Sequence, residues 1–240
     1  MAPDRHRPPA GPDLNVHEVM VRADRSALPG TLTLPTAARG LVLFAHGSGS
    51  SRLSPRNRLV ADVLHRGGLA TLLFDLLTAE EHAIDRSTAE FRFDIPRLAA
   101  RLSQTVDWVA GESITRELPI GLFGASTGAA AALVTAAMRP AQVRAVVSRG
   151  GRPDLAGDKL PNVCAPTLLI VGELDTAVLA LNYRAARALT VDYALEIIPG
   201  ATHLFEEAGT LEQVAGLAQR WFRRHLSGAA AAGAAPREHP

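Results

Sequence analysis

At 240 residues, with 47% apolar and 20% charged residues and a formal net charge of +1, the chain can bury a sizeable core and lacks the composition of a disordered or polyanion-binding protein. A single cysteine, Cys164, excludes a disulfide framework, and the opening Met1 to Pro9 has no apolar signal-like run. No unbroken apolar stretch reaches the ~18 residues of a membrane span, so a soluble cytoplasmic protein with no nucleic-acid or membrane partner is expected.

One domain over residues 1–240 is expected, with its core at about 14–226 and flexible tails at 1–12, rich in proline, and 227–240, rich in alanine and glycine. In chain order, strand patterns fall at 16–22 and 30–34 with no helix between them, which suits an antiparallel edge. From residue 40 strand and helix alternate. Strands are read at 40–45, 70–74, 119–123, 143–148, 167–171 and 193–198, and helices at 56–66, 95–110, 126–138, 178–189 and 211–226. Short, nearly unbroken apolar strands belong in a mostly parallel sheet with helices on both faces. In such a sheet ligands bind beyond the carboxyl ends of the strands.

Chemistry-bearing residues fall at those ends. Gly124-Ala125-Ser126-Thr127-Gly128 matches G-x-S-x-G between a strand and a helix, the pattern of a nucleophile elbow. Small residues on either side let strand and helix approach while the serine hydroxyl stands above the sheet. Downstream, Leu168 to Asp175 carries a carboxylate past a strand end, and Pro199-Gly200-Ala201-Thr202-His203 carries an imidazole on a loop. Ser126, Asp175 and His203 therefore form the expected nucleophile, acid and base, with Asp154 as an alternative acid. The loop Ala45-His46-Gly47-Ser48-Gly49 is free of bulky side chains apart from His46 and can supply a backbone donor. The expected oxyanion hole pairs the amides of Thr127 and Ser48, with Gly47 and Gly49 as alternatives to Ser48. His46 and Gly47 are expected at the substrate, His46 bracing the loop more than acting as base. Arg149 and Arg152 are candidates for binding a substrate carboxylate, against a simple salt bridge to Asp154 or Glu80.

Metal-ligand spacing and a phosphate-loop G-x-x-x-x-G-K-[ST] are absent from the sequence. Only about seventeen residues separate Ser148 from Ala165, enough for a loop and too few for a cap. The charged stretch 75–93 is the other segment able to cover the site.

The runs Leu41 to Gly49, Gly121 to Gly128, Thr167 to Asp175 and Gly200 to Glu206 resemble the α/β-hydrolase superfamily, and within it the dienelactone-hydrolase-like branch. The resemblance extends from about Leu14 to Leu226. It implies an eight-stranded sheet without a large cap domain, a Ser126, Asp175, His203 triad, and no cofactor. Dienelactone hydrolases carry a cysteine nucleophile where this chain has Ser126. The expected activity is therefore hydrolysis of a small-molecule carboxylic ester, with thioester or amide hydrolysis using the same groups and a catalytically weak binding or scaffold protein as the rival reading. A homodimer is open to such a protein.

Overall fold

Strand order β1-β2-β4-β3-β5-β6-β7-β8 defines a single sheet in the computed structural model, which describes residues 12–23 and 25–227. β1 (Leu14–Ala23) and β2 (Ser26–Pro35) form the antiparallel edge expected from the missing helix between them, and β2 also runs antiparallel to β4 (Ala70–Phe74). The remaining strands, β3 (Leu41–Ala45), β5 (Ile120–Ala125), β6 (Val143–Arg149), β7 (Thr167–Gly172) and β8 (Tyr193–Ile198), are parallel. Every residue of β3, β4, β5 and β7 is buried, as strands covered on both faces require. The outer strands β1 and β8 are largely exposed. Except for Pro12 and Ser227, the two expected tails lie outside the described residues.

Successive side chains on a strand face opposite sides, and that alternation divides the interior in two. Val42 and Phe44 of β3 pack with α1 (Pro55–Arg66) and α6 (Thr210–Leu226) through Val60, Leu64, Val214, Trp221 and Phe222. Leu41 and Leu43 face the other layer, where α3 (Ile95–Gly111), α4 (Thr127–Met138) and α5 (Thr176–Ala186) contribute Leu98, Leu102, Leu133 and Ala185. β3 leads through α1 to β4 on one side, whereas the chain from β5 onward builds the sheet on the other. The carboxyl ends of β3 and β5 therefore flank the switch point where such sheets open a crevice.

Two elements escape the apolar periodicity. α2 (Ala79–Thr88) lies within the charged segment, and its one buried residue is Asp85. With no apolar stripe, it is held by a capping box in which Thr78 accepts from the Glu81 amide and the Glu81 carboxylate accepts from the Thr78 amide. A 3₁₀ segment, Pro153–Asn162, kinked at Gly157, fills the β6–β7 connection and leaves no room for a cap domain. No helix among the described residues is long and apolar enough to cross a membrane.

The β5–α4 turn depends on glycine. A Cβ on Gly128 would collide with the carbonyl oxygen of Ala45, and one on Gly124 would collide with the Ala129 backbone. Gly128→Ala is expected to lower stability by about 2 kcal/mol or more through overpacking, read as a lower urea midpoint.

Candidate active site

Ser126 joins β5 to α4 with φ 52° and ψ −120°, a conformation rarely adopted by a side-chain-bearing residue. Two hydrogen bonds hold the turn, from the Ser126 amide to the Arg149 carbonyl at 3.1 Å and from the Arg152 amide to the Ser126 carbonyl at 3.1 Å, while the Gly150 amide donates to the Ile170 carbonyl at 2.8 Å and fixes the end of β6 against β7. Its side chain makes no cap hydrogen bond to α4, so the hydroxyl is left for other chemistry. Thr127 is the first residue of α4, where an amide has no acceptor within its own helix. Across from it, Ser48 Oγ lies 3.1 Å from Thr127 Oγ1, a contact that ties the β3 loop to the elbow.

Asp175 occupies the N-cap position of α5 without capping it. Its Oδ2 instead meets His203 Nδ1 at 2.6 Å, with the carboxylate side chain 13% exposed and the imidazole 38% exposed. The two loops are stitched together around this pair. Gly200 donates its amide to Glu173 Oε2 at 2.7 Å, Leu174 donates to the Ala201 carbonyl at 2.9 Å, and Glu207 accepts from the Thr202 hydroxyl at 2.6 Å. Glu173 and Glu207, which set the imidazole loop, have no motif to announce them. Asp154 is engaged elsewhere: Arg152 Nε and Nη2 each donate to it at 2.8 Å.

That fork decides between the two readings of Arg152 in favour of the salt bridge to Asp154. Arg152 is committed to Asp154 and does not line the cavity at Ser126, so it is withdrawn as a substrate ligand. His46 takes the bracing role expected of it. The Leu76 amide donates to its Nε2 at 3.0 Å, which obliges Nδ1 to carry the proton it shares with the Gly47 carbonyl at 3.0 Å. Burial lowers the imidazole's affinity for a second proton, although the Gly47 carbonyl and Asp75 oppose this. Neutral and with both nitrogens occupied, His46 braces the loop and has no hydrogen bond left for a substrate.

Ser126 and His203 share an open cavity of about 280 Å³ with Gly47, Ser48, Arg56 and Arg149. Arg149 is only 8% exposed, and Nη1 of its guanidinium is sealed from solvent without a hydrogen-bond partner. Arg56, from the first turn of α1, was not singled out by the sequence pattern. The charged segment carrying α2 packs beside the β3 loop, with Leu77, His82 and Arg92 around a small recess bounded by Gly47, Ser48 and Thr127. No group of three or more His, Cys, Asp or Glu residues suited to a metal occurs among the described residues.

Comparison with known proteins agrees with this architecture. A Mycobacterium tuberculosis protein provisionally named a phosphoribosyl transferase is 58% identical over 219 residues, a match covering 91% of this chain. The match takes in 48% of that relative, so the chain spans about half its length. A crystal structure of dienelactone hydrolase from Anabaena variabilis superposes with a TM-score of 0.87 at 56% identity, covering 89% of this chain and 99% of that one. Est1E from Butyrivibrio proteoclasticus shares the fold at 16% identity and a TM-score of 0.73, covering 86% and 98% of the two chains. The family model for dienelactone hydrolases matches residues 30–227, from β2 to the end of α6, and on that match the chain belongs to the dienelactone hydrolase family.

Proposed function

We propose that the chain is a serine hydrolase acting on a carboxylic ester of a small molecule through an acyl-enzyme intermediate. The observation that carries the reading is the 2.6 Å contact between Asp175 and His203, whose imidazole lines one cavity with Ser126 on its strained turn. His203 Nε2 takes the Ser126 hydroxyl proton as Oγ attacks the ester carbonyl. The tetrahedral oxyanion is received by the amides of Thr127 and Ser48. As the carbonyl reforms, the bond to the alcohol breaks and His203 returns the proton to the leaving oxygen. Water then repeats the sequence on the acyl-enzyme, releasing the acid and restoring Ser126. Asp175 fixes the imidazole's tautomer and stabilises the imidazolium formed in both halves. Each step uses groups of this chain, with no cofactor in any role.

Membership in the dienelactone hydrolase family and the 56% identity to the Anabaena protein support hydrolysis. The transferase name of the mycobacterial relative belongs to a protein about twice as long, and the ester reading draws on the half that is shared. The test combines intact mass after a fluorophosphonate probe with p-nitrophenyl acetate and butyrate hydrolysis. One equivalent of label on the wild type, no label on Ser126→Ala, and loss of turnover in that variant are expected. Wild-type turnover no faster than that of Ser126→Ala, without labelling, would leave a binding protein that keeps the fold.

A further inference from the structure

Charge in the cavity is out of balance. A guanidinium taken out of water normally sits against a carboxylate, because desolvation without a partner is costly. Arg149 is nine-tenths buried, lines the cavity beside Ser126, and has no carboxylate partner among the described residues. Burial, and after it the nearby positive charge of Arg56, pushes its pKa down to about 10, so it still carries its charge at neutral pH. Arg56 repeats the pattern. Its Nε is buried without a partner, and its one ion pair among the described residues is a 3.4 Å contact to Glu206, which is 65% exposed. Asp175 forms its ion-pair contact with His203 and none with either arginine.

Other features of the cavity have the same polarity. α1 begins there with Ser54 at its cap and no acidic residue in its first turn, so the positive end of its dipole is uncompensated. Ser50 and Ser54 add side-chain hydroxyls to the wall. At about 280 Å³ the space suits a short acyl chain ending in an anion, being below the ~300 Å³ where pockets for drug-sized ligands begin.

Resting on the hydrolase reading of the same site, we propose that Arg149 and Arg56 form a subsite for a doubly charged phosphate-type group borne on the acyl portion of the substrate. The unpaired guanidinium of Arg149 and that of Arg56, offset only by a solvent-exposed carboxylate at 3.4 Å, together match a dianion better than a monoanion. A neutral ester would leave the buried charge of Arg149 with no counter-charge, and a single carboxylate would leave Arg56 with no more than its exposed contact to Glu206. Arg149 supplies the buried end of the clamp and Arg56 the side nearer solvent.

The test is a matched series of p-nitrophenyl esters with an equally spaced terminal group: butyrate, hemisuccinate and 3-phosphonopropanoate. For the wild type, kcat/KM is expected to rise at least tenfold from butyrate to hemisuccinate and again to the phosphonate. The phosphonate-to-butyrate ratio should fall about 30-fold or more in Arg149→Met and about tenfold in Arg56→Met, mainly through KM. Arg56→Met, at a partly exposed helix start, keeps the test decisive if the buried Arg149→Met does not fold. A hemisuccinate equal to or better than the phosphonate would overturn the dianion assignment in favour of a carboxylate. A ratio unmoved by both substitutions would overturn the subsite altogether. Calorimetric binding of free 3-phosphonopropanoic acid to Ser126→Ala, abolished on adding Arg56→Met, reads the subsite without turnover. Binding with no ester hydrolysed by the wild type would indict the hydrolase reading alone, whereas hydrolysis without anion preference or binding would indict the subsite alone.

Discussion

Asp175→Asn is expected to lower kcat for p-nitrophenyl butyrate about 10⁴-fold while leaving the melting temperature within a few degrees of wild type. The asparagine amide occupies the same volume at the N-cap of α5, and because the aspartate makes no cap hydrogen bond there, the helix loses only the interaction of the charge with its dipole, about 0.3–1 kcal/mol. What disappears is the anion 2.6 Å from His203 Nδ1. An amide can turn its NH₂ toward the ring and so hold the tautomer whose Nε2 carries the proton, leaving no acceptor for the Ser126 hydroxyl. It also provides no negative charge to offset the imidazolium. Asp154→Asn is the matched control, since that carboxylate is held by the Arg152 fork and has no contact with the imidazole. Stopped-flow or steady-state assay of the two variants, with circular dichroism on each, separates chemistry from folding. If activity were lost in Asp154→Asn and kept in Asp175→Asn, the acid would have to be reassigned.

Most of the sheet was legible because its central strands are short apolar runs bounded by turns. The 70–74 and 193–198 strands were read with the limits observed for β4 and β8. Helices with an apolar stripe, such as α3 and α6, were equally legible. α2 was not, since Ile84 is its one large apolar side chain and is itself exposed. Its only local signal is the Thr78 to Glu81 capping spacing; its anchorage comes from Arg97 and Arg101 of α3 at Glu81 and from Arg92 at Asp85.

The site divides along the same line. Ser126, Asp175 and His203 lie at strand ends, and local pattern locates strand ends well. Whether Arg149 or Arg152 faces the cavity depends on the course of the chain after β6, which local pattern does not fix. The role of Arg56 depends on α1 being folded against the elbow from seventy residues away in sequence. His46 illustrates the opposite difficulty. A histidine beside a glycine loop reads as a ligand until the Leu76 amide, thirty residues on, is found to occupy its second nitrogen.

Glu81→Ala is expected to destabilise the fold by about 3–5 kcal/mol, a fall in melting temperature on the order of 10 °C for a chain of this size. Glu81 receives Arg101 Nη1 at 2.5 Å and Nη2 at 2.7 Å, together with Arg97 Nη1 at 3.0 Å. The Arg101 side chain is only 5% exposed, so deleting the carboxylate strands a buried cation. Glu81→Ala with Arg101→Met should recover much of the loss, because no charge is then left unpaired. The pH dependence has a definite sign. The hydrogen bonds from Arg101 outweigh partial burial and hold the Glu81 carboxyl at about 2, against 4.5 in the unfolded chain. Its contribution is therefore fully present above about pH 4.5 and is lost as the pH falls toward 2, so the melting curves of wild type and Glu81→Ala should converge over that interval. The same variant probes the coupling between α2 and the chemistry. Arg101 Nη1 also donates to the Leu76 carbonyl at 2.8 Å, and the Leu76 amide holds His46, which in turn braces Gly47 beside the proposed oxyanion donor Ser48. Loosening Arg101 is thus expected to lower kcat several-fold at temperatures where the variant remains folded, whereas an unchanged kcat would show that the β3 loop keeps its geometry without support from α2.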